Sequence, residues 1–144
     1  MKIRELNLDQ HDDWIEARRL LWPNSAVNEH SDEIKQLLNS KKFFAWAIWD
    51  EGSVVAFTEV YLRDFANGCR SMPVPFIEGI WVEESYRGRG LAKKLIDHIS
   101  YWAKDNGHNE IGSDVLLSNT ESISKHQSWG FEETEQVVYF NKKI

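Results

Sequence analysis

Apolar and polar positions along the chain divide it into segments of distinct period. Lys2 to Asn7 alternates between the two and predicts a short first strand. Asp9 reads as a helix N-cap, and Asp12 and Asp13 suit the positive end of a helix dipole. Trp14, Ala17, Leu20 and Leu21 then mark one helical face, which Pro23 brings to an end. A second helix is predicted from Asn28 or Ser31 to Leu38, with Ile34, Leu37 and Leu38 inward. Phe43 to Trp49 is aromatic and β-prone, and Asp50-Glu51-Gly52 turns it into Val54 to Leu62, which makes a hairpin. A polar loop follows over 63–73, with Asn67-Gly68 at its tip and Pro73 and Pro75 stiffening its exit. Phe76 to Val82 is another strand. The clearest helix spans Gly90 to Asn106: Leu91, Ala92, Leu95, Ile96, Ile99, Trp102 and Ala103 keep a three-four spacing, and Gly107 is a natural C-cap. Ile111 to Leu117 reads as a strand, Asn119 to Trp129 as a helix, and Phe131 to Asn141 as one long or two short strands. With no repeat, low-complexity tract or linker, this order predicts one α/β domain over 1–144 built on a mixed sheet.

Composition narrows the function classes. The chain has 144 residues, 42% hydrophobic and 28% charged, ordinary values for a globular protein. No segment approaches the roughly 20 apolar residues of a membrane span, and the N-terminus lacks the apolar stretch of a signal peptide. A lone cysteine, Cys69, fits a reducing compartment, so cytoplasm is the expectation. The formal charge is 17 − 23 = −6, without a basic stripe that could displace counterions from nucleic-acid phosphate. Such acidity ordinarily serves solubility, and it also suits a cationic ligand. Seven tryptophans are predicted mostly to fill the core, with one or two left to line a cleft.

The most specific signal is Ile80-Trp81-Val82-Glu83-Glu84-Ser85-Tyr86-Arg87-Gly88-Arg89-Gly90-Leu91-Ala92, a strand leading through a Gly-rich turn into the strongest helix. The first amides of a helix have no intrahelical acceptor, and glycines let a phosphate approach them closely. Arg87, Arg89, Lys93 and Lys94 add positive charge in an otherwise acidic chain. A dinucleotide fingerprint would need a third glycine where Lys93 stands, and the Gly-Lys-Ser/Thr of a P-loop is absent. No metal-ligand cluster or Ser-His-Asp order is evident.

The pattern Arg87-x-x-Gly90-x-Ala92 resembles the pyrophosphate-binding signature of the GNAT acetyltransferases. Asn119, Ser122, His126, Gly130 and Phe131 keep the spacing of a second motif of that family, and the resemblance covers essentially the whole chain. It implies the GNAT fold, a mixed central sheet splayed at a bulge and flanked by helices. It also implies acetyl-CoA as cosubstrate, with no metal. The cofactor would be held by Arg87, Gly88, Arg89, Gly90, Leu91, Ala92 and Lys93 at its pyrophosphate, by the backbone of Ile80, Trp81 and Val82 beside the thioester, and by Asn119 near its thiol end. Gly79 is the expected bulge residue. His126 stands where many relatives place a tyrosine that protonates the leaving thiolate.

Finer likeness in Val74-Pro75-Phe76-Ile77-Glu78-Gly79-Ile80-Trp81-Val82, in Gly112-Ser113-Asp114 and in Val137-Val138-Tyr139-Phe140 is to the aminoglycoside 6'-N-acetyltransferases of that family. By that resemblance Trp22, Phe65, Glu78, Asp114 and Glu135 line the aminoglycoside pocket, with Glu78 and Asp114 holding the ammonium and accepting its proton, directly or through water. Phe65 departs from the family's tyrosine. The acidic run around Glu135 could equally be a solvated surface. The family's habit of packing or exchanging its last strands makes a homodimer the expectation. The alternatives are acetylation of another amine, such as a polyamine or a protein N-terminus, and a non-catalytic CoA-binding module.

Overall fold

The computed structural model describes all 144 residues. Its sheet is a four-stranded antiparallel meander in the order β1 (Ile3–Glu5), β2 (Phe43–Asp50), β3 (Ser53–Arg63), β4 (Val74–Val82). Helices α1 (His11–Leu21) and α2 (Val27–Asn39) lie between β1 and β2, α3 (Leu91–Asp105) follows β4, and α4 (Thr120–Ser128) comes last.

The apolar run of β2 explains the layering. A strand with one solvated face alternates apolar and polar residues, whereas Phe43-Phe44-Ala45-Trp46-Ala47-Ile48 does not alternate, so both faces must be covered. Phe43, Ala45 and Ala47 pack with Trp14, Ile15, Ala17, Ile34 and Phe57 under α1 and α2. Trp46 and Ile48 pack on the opposite face with Leu91, Leu95, Ile96 and Ile99 of α3. Between β2 and β3, Glu51 and Gly52 both adopt positive φ (48° and 82°), the two-residue turn whose twist matches a hairpin. Of the seven tryptophans Trp14 and Trp46 are buried, and the other five are half-buried and packed against the same two clusters, so tryptophan serves the core as expected.

Three expected features take another form. Asp9 is not a cap: Asn7 caps a 3-10 turn over Leu8–Gln10, accepting from the Asp9 amide at 2.9 Å, and α1 starts directly after it. Of the strand expected over Ile111 to Leu117, only Gly112 pairs, as a parallel bridge to Phe76 with Ile77 N–H donating to the Gly112 carbonyl at 2.9 Å. Gly112 can sit so close because a Cβ there would lie 2.5 Å from Cys69 Sγ and 2.9 Å from Phe76 Cδ2. The chain then diverges from β4, so the sheet itself is antiparallel and its parallel element shrinks to one bridge. The segment 131–141 forms no ladder, and Val138, Tyr139 and Phe140 are 74%, 75% and 91% exposed.

Candidate active site

The divergence after Gly112 opens a cleft of about 630 Å³ along the outer edge of β4. Glu78 and Gly79 form one wall, Ser113 to Leu117 with Asn119, Ser122 and His126 of α4 another, and Glu132 to Val137 a third. Trp22, Glu78, Asp114, Asn119 and Glu135 therefore line one cleft. Phe65 does not: it is 62% exposed and lies outside the lining. Ile80 to Val82 and the turn 87–93 also lie outside it, farther along β4 and at the start of α3.

The bulge sits one residue from its expected position. Across β3 and β4, Glu59 pairs with Gly79 and Val60 with Ile77, which leaves Glu78 as the extra residue. An extra residue bends its strand and re-aims its side chain, and here it turns Glu78 toward the cleft. Gly79 has a different role from relaxing the backbone: a Cβ there would lie 2.6 Å from Trp22 Cζ2 and 3.0 Å from Leu21 Cδ2, so glycine is what admits the indole. Trp22 ends α1, its N–H donating to the Arg18 carbonyl at 2.7 Å and its own carbonyl lying 3.2 Å from His30 Nε2. Both backbone ends of the ring are thereby fixed, and the indole stands as a wall of the cleft.

The acidic side chains differ in their surroundings. Glu78 is held by Arg63, whose Nε and Nη2 donate to Oε1 and Oε2 at 2.8 Å each, and Arg63 in turn lies 3.7 Å over the Phe76 ring. Arg63 titrates above its ordinary range, first through its hydrogen bonds to Glu78 and, to a smaller degree, through the negative charge of Asp114. Asp114 and Glu135 are exposed on the lining.

On α4, Asn119 caps the helix, its Oδ1 accepting from the Ser122 amide at 3.2 Å. His126 is locked into one tautomer. Its Nδ1 lies 2.8 Å from the Ser122 carbonyl, which can only accept, so Nδ1 carries the proton. Nε2 lies 2.8 Å from Ser113 Oγ, a hydroxyl able to donate to it or accept from it. Trp129 and Phe131 flank the ring with centroids 5.0 and 5.2 Å away. Both ring nitrogens are thus engaged by protein neighbours.

Past Val82 the chain turns through Gly88 and Gly90, both at φ +77° with open space where a Cβ would stand. The first backbone bond of α3 runs from Lys94 N–H to the Gly90 carbonyl, so the amides of Leu91, Ala92 and Lys93 precede the helical ladder. The basic side chains contribute less than the sequence suggests. Arg87 Nε is drawn back to the Val82 carbonyl at 3.0 Å, Lys93 pairs with Asp97 at 2.7 Å, and Lys94 Nζ donates to the Met1 carbonyl at 2.6 Å. Arg89 stacks over Tyr86, whose hydroxyl donates to Asp50 and ties the turn to the hairpin. What remains is a nest of backbone amides at a helix N-terminus, a shape and polarity that fit a pyrophosphate.

A buried network behind the cleft escapes periodicity altogether. Glu59, 1% exposed, accepts from Trp14 Nε1 at 2.9 Å, while Arg18 Nε lies 3.1 Å away without hydrogen-bond geometry. Burial pushes the Glu59 carboxyl up to about 7, and the Arg18 charge opposes the rise only in part. The signal in the sequence is a single acid inside the otherwise apolar run of β3. In an unfolded chain this carboxyl titrates near 4.5, so between there and about 7 the fold keeps a proton that the unfolded chain gives up. Stability should therefore fall as pH rises through that window and level off above it. Glu59→Gln, fixed in the uncharged form, should lack this contribution. The melting temperature of the wild type relative to the variant should be highest near about pH 5 and decline toward about pH 8. A difference independent of pH would mean that Arg18 keeps Glu59 ionised throughout.

The sequence profile of the Acetyltransferase (GNAT) family matches residues 9–131. An aminoglycoside N(6')-acetyltransferase type 1 of Serratia marcescens is 41% identical over 138 residues, 94% of each chain. The crystal structure of the aminoglycoside antibiotic 6'-N-acetyltransferase AAC(6')-IG from Acinetobacter haemolyticus superposes with a TM-score of 0.92 at 37% identity, covering 100% of this chain and 99% of that one. The structure of AAC(6')-Iy in complex with the bisubstrate analog CoA-S-monomethyl-acetylneamine also gives 0.92, at 35% identity and with 99% and 98% covered. The fold is thus shared over nearly the full length at 35–41% identity, and the chain belongs to the GNAT acetyltransferase family, among the type 1 aminoglycoside N(6')-acetyltransferases.

Proposed function

We propose that the protein transfers the acetyl group of acetyl-CoA to the 6'-amino group of an aminoglycoside, and so confers resistance to such antibiotics. The observation that carries this reading is the cleft: Glu78, Asp114 and Glu135 converge beside Trp22, a constellation suited to a sugar ring bearing ammonium groups. In support, a relative of 35% identity is described in complex with an analog joining CoA to acetylneamine. When bound, acetyl-CoA supplies the activated acetyl group. The amides of residues 87–93 would hold its pyrophosphate, the free edge of β4 at Ile80, Trp81 and Val82 its pantetheine arm, and Asn119 the thiol end. Glu78 and Asp114 bind the ammonium, and one of them accepts the proton that an amine must lose before it can attack. Trp22 stacks on the ring and keeps water from one side. Glu135 binds a further ammonium from the third wall. Phe65 contributes to this site only if a partner subunit brings it there.

The exposed apolar run Val137 to Phe140, together with Leu116 and Leu117 at 77% and 65% exposure, supports a homodimer in which these segments pack or exchange. A single acetyltransferase domain over 1–144 acts in the cytoplasm; no helix is long and apolar enough to cross a membrane.

The test is acetyl-CoA turnover against a panel of aminoglycosides, polyamines and peptides. Acetylation of aminoglycosides at the 6' position is expected, and turnover of polyamines or peptides alone would overturn the substrate assignment. Within that assay His126→Ala should keep most of the activity. A general acid contributes about 10²–10⁴-fold, whereas both nitrogens of this imidazole are already engaged, by the Ser122 carbonyl and the Ser113 hydroxyl. A loss of that size with the fold intact would make His126 the donor to the leaving thiolate.

A further inference from the structure

Arg63 is the one arginine or lysine among the residues that line the cleft, against five carboxylates: Glu78, Asp114, Glu132, Glu133 and Glu135. A site built for a polycation gains nothing from a cation of its own unless that cation can be exchanged. The pair has the properties of an exchangeable one. Both side chains are about a third exposed, 35% for Arg63 and 30% for Glu78, so solvent screens their attraction. The guanidinium fork takes both carboxylate oxygens at 2.8 Å, which leaves an incoming ammonium no Glu78 oxygen that is not already engaged. In that same position the guanidinium also lies 3.7 Å over the Phe76 ring, a contact that does not depend on Glu78.

We propose that Arg63 is a built-in rival of the substrate: it holds Glu78 in the free enzyme, yields it to the ammonium of the aminoglycoside, and retakes it once that nitrogen is acetylated. The inference rests on the reading of Glu78 as an ammonium-binding residue. The charge balance of the reaction supplies the reversal. The ammonium gives one proton to the base, its nitrogen forms a bond to the acetyl carbon as the bond from that carbon to sulfur breaks, and the second proton that this nitrogen sheds leaves on the thiol. The nitrogen ends as a neutral amide, so Glu78 loses its partner while Arg63 keeps its full charge. The contact that weakens substrate binding therefore favours product release, and Arg63 acts as a positioning residue through Glu78 without touching the reacting atoms.

The experiment is a mutant cycle of Arg63→Gln, Glu78→Gln and the double variant, read by calorimetric affinity for neamine, by KM and kcat separately, and by inhibition with 6'-N-acetylneamine. Thermal melts establish folding. Removing a competing, partly exposed ion pair should tighten neamine binding and lower KM about three- to tenfold. Product inhibition should strengthen in the same variant, and kcat should not rise. Arg63→Lys, which keeps the charge but cannot fork both oxygens, should fall between wild type and Arg63→Gln. Against Glu78→Gln, the further change at Arg63 should do nothing. Weaker or unchanged neamine affinity in a folded Arg63→Gln, with Glu78→Gln impaired, would overturn the rivalry and leave Arg63 as a support for Glu78. Unimpaired affinity in Glu78→Gln would instead remove Glu78 from the site, and the present inference with it.

Discussion

Gly90→Asp is expected to raise the dissociation constant for acetyl-CoA by at least about a hundredfold, since like charges brought together in a binding site cost several kcal/mol. The fold should survive. No atom lies within 4 Å of a Cβ at this position, so the side chain has room, and the strain is confined to the positive φ of 77°. Aspartate tolerates that conformation better than most residues. Two effects then act together on the cofactor. The new carboxylate stands at the N-terminus of α3, where it can itself accept from the amides of the first turn, and its charge opposes the pyrophosphate. Because Arg87, Lys93 and Lys94 are each engaged elsewhere, little side-chain charge remains nearby to compensate. Gly90→Ala, which carries at least as much backbone strain without the charge, should lose far less. Calorimetry on the three proteins decides the matter: equal affinities for Gly90→Asp and the wild type would remove the amide nest as the phosphate site, and equal losses in the two variants would assign the effect to backbone strain.

What could be read in the sequence follows from the range of the interactions involved. The hairpin at Glu51-Gly52, the turn at Gly88-Arg89-Gly90 and the apolar stripe of α3 are local, with turn chemistry and period within a few residues of one another. The unbroken apolar run of β2 also carries its meaning locally, since it requires cover on both faces. Strand pairing is not local. Ile111 to Leu117 and Phe131 to Asn141 have the composition of strands, but a strand needs an adjacent edge, and composition does not report whether one is present. The first segment leaves β4 after a single bridge, and in doing so opens the cleft. The identities of most cleft residues came from resemblance to a family, while their electrostatic state did not. Arg63 and Glu78 stand 15 residues apart, and Trp14 and Glu59 stand 45 apart, so neither pair leaves a periodic trace. The bulge shows the same limit: a glycine marked its neighbourhood, yet Gly79 is there for Trp22, and Glu78 is the residue that the bulge presents.

Asp114→Asn is expected to lower kcat/KM for aminoglycosides by about a hundredfold, a loss in the range of a removed proton acceptor, while acetyl-CoA affinity stays unchanged. The substitution keeps the side chain's size and removes its charge and its capacity to take a proton. Asp114 is the less engaged of the two carboxylates: Glu78 has both oxygens on the Arg63 guanidinium, whereas Asp114 is exposed on the cleft lining and makes no such fork. It is therefore the carboxylate that can first meet an ammonium arriving from solvent. Charge-assisted hydrogen bonds are roughly twice as strong as neutral ones, so KM should rise from the binding contribution alone. If Asp114 also accepts the proton, kcat should fall with it, and the division between the two constants separates binding from chemistry. Added salt should weaken wild-type substrate binding, because a polycation meeting an acidic cleft is screened over a Debye length of about 10 Å at 0.1 M. The variant, with one charge fewer, should respond less steeply. Steady-state kinetics of both proteins at low and moderate salt provide the test. An unchanged kcat/KM would take Asp114 out of the acceptor site, and a normal kcat with a raised KM would leave Glu78 or a water to carry the proton.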